Sequence, residues 1–211
     1  GLRRSRGEFP GSLNRNLLLL FTGIYLALGG AYFLQDFNLE FVIYVAVIVA
    51  IFGGVLATLR HTRFPLWMLC LLSIWGLMHV LGGAVSTPDG VLFAWRIYPF
   101  LDAGGEMYIL KYDQVVHFYL YGLVALLAYH TLRVPLAIRG QVVLVALAAA
   151  LISLGVSSLN EIMEFLIAVN LERHGVGGYE NAMLDLIFNF AGAALAVVTY
   201  ALFFDRKHDR R

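Results

Sequence analysis

The chain has 211 residues, of which 60% are hydrophobic and only 14% charged, with a formal net charge of +1. That charged share is about half the share of a soluble domain, which excludes an ordinary water-soluble globule. No basic face capable of holding nucleic acid is expected, and a membrane lipid or lipid-linked molecule is the natural partner for so apolar a chain.

A bilayer core of ~30 Å takes about 20 apolar helical residues. In chain order, six segments meet that length: 17–35, 41–59, 65–85, 114–132, 142–168 and 182–204. They predict an all-α fold, a single polytopic bundle of six transmembrane helices spanning 1–211. Arg3, Arg4 and Arg6 precede the first segment as a signal peptide's basic region would. The apolar run is long enough to span, however, and no small-residue cleavage site follows, so it reads as a retained helix. The second segment has no ionisable residue between Glu40 and Arg60, which predicts a structural role. Pro65 sits where a first helical turn tolerates it. The single cysteine, Cys70, lies in an apolar run and reads as a core side chain.

Orientation follows from the basic residues of the short connections. With a cytoplasmic amino terminus, that side receives Arg3, Arg4, Arg6, Arg15, Arg60, Arg63, Arg133, Arg139, Arg206, Lys207, Arg210 and Arg211. The other side receives Arg96, Lys111 and Arg173, a split of 12 against 3. Both termini are predicted cytoplasmic. The connection 86–111 then lies outside, and its Phe93, Trp95, Tyr98, Phe100 and Tyr108 predict a cap on the outer membrane surface or an interfacial aromatic belt.

The polar residues of the spans share one depth. His79 lies near the outer end of span three, and Asp113 and His117 open span four. Asn160, Glu161 and Glu164 fall in the outer third of span five, and Asp185 and Asn189 in that of span six. Steps of three and four make stripes: Asp113, His117 and Tyr121; Ser157, Glu161 and Glu164; Asn181, Asp185 and Asn189. A charged side chain near a helix centre costs ~2.5–3.5 kcal/mol on insertion scales, so such groups face the bundle interior. Singly, each has a plain structural reading as interhelical glue or a partner of the helix dipole. Together they leave four carboxyls and two imidazoles without matching bases, a set that needs protons or a cation.

Two imidazoles with carboxylates suit a divalent cation, with zinc, manganese, magnesium and iron all open. Helical bundles hold metals on inward-facing i, i+3 and i, i+4 pairs, as di-iron carboxylate proteins do. His79, Asp113, His117 and Glu161 are the expected ligands. Glu164 or Asp185 is the expected general base, and Asn160, Asn189 and Tyr121 are placed to meet substrate.

"YDQVVHFYLYG", "NEIMEF" and "LDLIFNFAGA" resemble the bacterial YjdF-like inner-membrane proteins of unknown function. The matching elements are His79 with Gly82 and Gly83, then Tyr112, Asp113 and His117, then Glu161 and Glu164, and finally Asp185. Asp113, His117, Phe118, Tyr121, Asp185, Asn189 and Gly192 also look like the pattern of VanZ-like membrane proteins. The resemblance runs from span three onward. It implies a multi-pass protein of the bacterial inner membrane with an envelope role, and no defined reaction.

Three functions compete. The first is a metal-dependent hydrolase or transferase acting on a lipid or lipid-linked envelope substrate from the outer leaflet. The second is a small-solute or proton-coupled transporter, against which the polar set stops in the outer third. The third is a non-catalytic envelope or lipid-binding protein. The sequence lacks the Gly-x-Ser-x-Gly, P-loop, His-Glu-x-x-His and Cys-x-x-Cys motifs of other enzyme classes.

Overall fold

The computed structural model describes residues 10–203. Arg3, Arg4, Arg6, Arg206, Lys207, Arg210 and Arg211, with the last residue of predicted span six, lie outside the described residues. The helices are α1 (Pro10–Gln35), α2 (Leu39–Thr62), α3 (Leu66–Ala84), α4 (Tyr112–Arg133), α5 (Val142–Asn170) and α6 (Tyr179–Phe203). All six are long and apolar enough to cross a membrane. The chain is therefore a six-span helical bundle.

Most boundaries lie outside the predicted ones, because helices continue past the hydrocarbon. At 1.5 Å per residue the 29 residues of α5 extend ~44 Å, well beyond the bilayer core. Local chemistry sets the ends. Pro10 opens α1, where its missing N–H costs nothing. The Asn38 side chain accepts from the Phe41 N–H to cap α2, which closes on a left-handed Arg63. Pro65 stands just before α3 as its N-cap, not within its first turn.

Helix α4 is the hub and packs on α3, α5 and α6. Its closest approach is to α6. A Cβ on Gly122 would lie 3.1 Å from the Gly192 carbonyl oxygen, and one on Gly192 would overlap the Phe118 carbonyl. Glycine is needed on both sides for the backbones to meet, as in small-residue membrane interfaces. Ser153 ties α5 to α4 by donating to the Tyr121 carbonyl at 2.7 Å. Tyr112 and Tyr119 tie α4 to α3 by donating to the Met78 and Leu71 carbonyls.

The connection between α3 and α4, expected as a cap or an aromatic belt, has regular structure of its own. It holds two small antiparallel hairpins: β1 (Ser86–Thr87) with β2 (Gly90–Val91), and β3 (Arg96–Asp102) with β4 (Tyr108–Lys111). Every residue of β3 is exposed, whereas β4 lies against the bundle, with Tyr108 buried. The turn between the hairpins sends Phe93 inward to stack on Phe41 and meet His79 and Tyr112 edge-on. Gly82 and Gly83 make room, because a Cβ on either would run into the Phe93 or Phe41 ring.

Candidate functional site

The site is built at the hairpin end of the bundle, on α4. Asp113, His117 and Tyr121 follow one another up the helix, and His117 is only 7% exposed. Its Nε2 lies 3.5 Å from Asp113 Oδ1 and 4.0 Å from Glu164 Oε1. Its Nδ1 is 3.0 Å from Asn189 Oδ1 and 3.9 Å from Glu161 Oε1. The Gly122–Gly192 approach lies about one turn away, next to the His117–Asn189 contact between the same two helices.

Helix α6 delivers the second stripe. Asp185 and Asn189 are fully buried. Lys111, at the end of β4, donates from Nζ to Asn181 Oδ1. Asn181 Nδ2 donates to Asp185 Oδ2 at 2.6 Å. Helix α5 supplies the third stripe, where Asn160 Nδ2 donates to Glu164 Oε1 at 2.7 Å. Ser157 takes no part; its hydroxyl donates to the Leu154 carbonyl of its own helix.

Two groups of carboxylate and imidazole atoms result among the described residues: Asp113, His117 and Asp185, and His117, Glu161 and Glu164. Within each, one atom per residue lies within 4.8 Å of the others. Two ligands of one ion at ~2.0–2.6 Å are separated by at most ~4–5 Å, so the spread fits one ion per group. Glu161 Oε1 and Asp185 Oδ1 are buried without a hydrogen-bond partner. A buried unpaired oxygen costs ~1–3 kcal/mol, and a cation is one way to satisfy it.

His79 differs from the expected ligand set. It lines the same cavity as His117 and Asp113 but belongs to neither group. Its ring is boxed by Tyr44, Trp75 and Phe93 at 5.0–5.9 Å between centroids, and its buried Nε2 has no partner. The other seven predicted positions are brought together around His117.

Three residues escaped the sequence reading. Glu40 bounds the second span, for which the sequence predicts a structural role. It is buried in the cavity wall, where it accepts from the Gly175 N–H at 2.7 Å and faces the Tyr44 hydroxyl at 3.4 Å. The Glu40-x-x-x-Tyr44 spacing carried that signal. Of the three outer-side bases, Lys111 reaches Asn181, while Arg96 and Arg173 are exposed. Gln114 is fully buried and joins hairpin to helix: it accepts from the Lys111 N–H and donates to the Tyr108 carbonyl.

The cavity lined by Glu40, His79, Asp113, His117, Asn160 and Glu164 measures about 80 Å³. A water needs at least ~10–15 Å³ on this measure and a drug-sized ligand ~300–1,000 Å³. The cavity therefore admits waters, an ion or a small head group, and no whole lipid.

Fold and site together define a polytopic helical membrane protein with a buried histidine–carboxylate cluster at one end. The chain belongs to the family described as "Predicted membrane protein (DUF2238)", which matches residues 17–206. The match covers spans one and two as well, so the family extends further toward the amino terminus than the resemblance from span three onward implied. It does not reach the similarity to VanZ-like proteins. Comparison with curated proteins and with solved structures gave no match.

Proposed function

We propose that the His117 cluster is a divalent-metal centre, and that the protein is a metal-dependent hydrolase or transferase acting on a lipid or lipid-linked envelope substrate. The observation that carries this reading is the convergence of four carboxyls on one buried imidazole, with one oxygen each of Glu161 and Asp185 left unpaired. His117 with Asp113 in one group, and His117 with Glu161 in the other, would be ligands. Asn189, accepting from Nδ1–H, leaves the Nε2 lone pair free for a cation. Glu164, held by Asn160, and Asp185, held by Asn181, are the proton carriers of this reading. A bound cation of this kind supplies polarisation of a substrate oxygen or activation of a water.

A transporter needs a polar path through the bundle. Beyond Gly122 the α4–α5–α6 interface is filled by Ala125, Tyr129, Ala149, Ala193 and Val197, which favours a site open from one side only. The excess of basic residues at the opposite end supports cytoplasmic termini in a bacterial inner membrane, with the site facing the outer leaflet. The likeness of Asp113, His117 and Asp185 to the VanZ-like pattern adds an envelope role by analogy.

Elemental analysis of purified wild type beside His117→Ala tests the reading. It predicts near-stoichiometric zinc, manganese, magnesium or iron in the wild type and its loss in the variant. A wild type without metal after purification in each of these ions contradicts it.

A further inference from the structure

A second cavity, about 340 Å³ and almost wholly apolar, runs from the site along the bundle between α2 and α5. Helices α3 and α4 form its floor. Helix α2 packs on α1 and α3 but is not packed along α5, so a lateral cleft is left between the two. The deep wall is buried, whereas Ile51 of α2 and Val156 of α5 are exposed at the rim. In a membrane-spanning chain, that rim faces hydrocarbon.

The cleft adjoins the His117 cavity. Tyr44, Trp75, His79 and Asn160 line both. Trp75 is 4% exposed, and its indole N–H has no hydrogen-bond partner; neither has His79 Nε2. Two unpaired polar atoms thus stand at the junction of an apolar cleft and a polar pocket. A tryptophan N–H can only donate, so it fits an acceptor oxygen where a hydrocarbon chain meets its head group. The cleft is of small-ligand size, and the polar pocket is too small for anything beyond part of a head group.

We infer that the cleft seats one alkyl or prenyl chain of a membrane amphiphile, which enters sideways between α2 and α5 and places its head group in the His117 cavity. This rests on the lipid-substrate reading above and specifies how that substrate is held. The α2–α5 opening is the entrance, and Trp75 and His79 mark the chain–head boundary.

Trp75 itself is the probe. The full chain carrying Trp67→Phe and Trp95→Phe, both exposed residues outside the cleft, has Trp75 as its single tryptophan. It is reconstituted into phosphatidylglycerol vesicles with acyl chains brominated close to the carboxyl end, and into unbrominated ones. Bromine quenches indole emission on contact, so Trp75 should lose most of its emission in the brominated vesicles. Val156→Phe and Ile51→Phe, which fill the rim, should restore it. Leu147→Phe, on the lipid-exposed face of α5 away from the cleft, should leave it quenched. Equal emission in both vesicles, or equal quenching with the rim filled, overturns the inference. Metal content is measured on the same samples. Quenching in metal-free protein upholds the chain site and removes only the metal reading. Metal without quenching removes the chain site and leaves the metal reading standing.

Discussion

Helices α4, α5 and α6 are used in two opposite ways along their length. At the hairpin end they present Asp113, His117, Glu161, Glu164, Asp185 and Asn189 to one another. At the other end the same helices meet through Ala125, Ala149, Ala193 and Val197, packed against Tyr129. The seam between the two is the Gly122–Gly192 contact, reinforced by the Ser153–Tyr121 bond. In hydrocarbon, helices associate through close packing, which the small-residue end already provides. The polar end carries buried unpaired atoms that cost ~1–3 kcal/mol each. Close packing alone does not call for these atoms; the proposed cation or head group would satisfy them.

That division can be broken most severely at the seam. Gly192→Leu puts a side chain into the Phe118 carbonyl, a backbone obstacle that no rotamer change relieves. Overpacking of this kind costs ~1–3 kcal/mol in ordinary cores and more against backbone. The variant should lose most of its monodisperse yield and its cooperative melt. A stable Gly192→Leu would show that the two helices are not held as described.

The next effect is at the junction of hairpin and helix. Gln114→Ala removes two hydrogen bonds and leaves the Tyr108 carbonyl and Lys111 N–H without that partner. A loss of ~1–3 kcal/mol is expected, with faster amide exchange across 96–111 and unchanged exchange in 125–133. Uniform exchange changes would mean that the hairpin is not a separate unit.

The smallest effect is expected at Ser157, which lies on the Glu161–Glu164 face but bonds only within its own helix. Ser157→Ala should change the melting temperature by the equivalent of less than ~1 kcal/mol and leave metal content unaltered. A large loss of metal would bring Ser157 into the site.

The sequence showed the six spans and the three polar stripes because apolar runs of bilayer length and buried charges are both rare. Helical periodicity then placed most of the polar residues on faces that meet, though not His79 or Ser157. Glu40 was hidden because an acid in the first turn of a helix is ordinarily explained by the dipole. The hairpins of 86–111 were hidden because an aromatic-rich connection beside a membrane also describes an interfacial belt. His79 shares the depth of the cluster, but depth does not say which way a ring faces. The Lys111–Asn181–Asp185 chain joins residues 70 positions apart, a distance that no local pattern spans.

The central claim is that a cation balances the four carboxyls, and the melting temperature of the solubilised protein with and without chelator tests it most directly. A ligand that binds only the folded state at 100 times its Kd adds about 2.7 kcal/mol of stability. Chelation should therefore lower the wild-type melting temperature, and zinc or manganese should restore it. Glu161→Gln keeps the side chain's shape but loses its charge, and should respond weakly to both treatments. If wild type and Glu161→Gln melt alike and neither responds to chelator or added cation, the cluster is a hydrogen-bonded carboxyl–histidine network, and the metal-dependent reading is wrong.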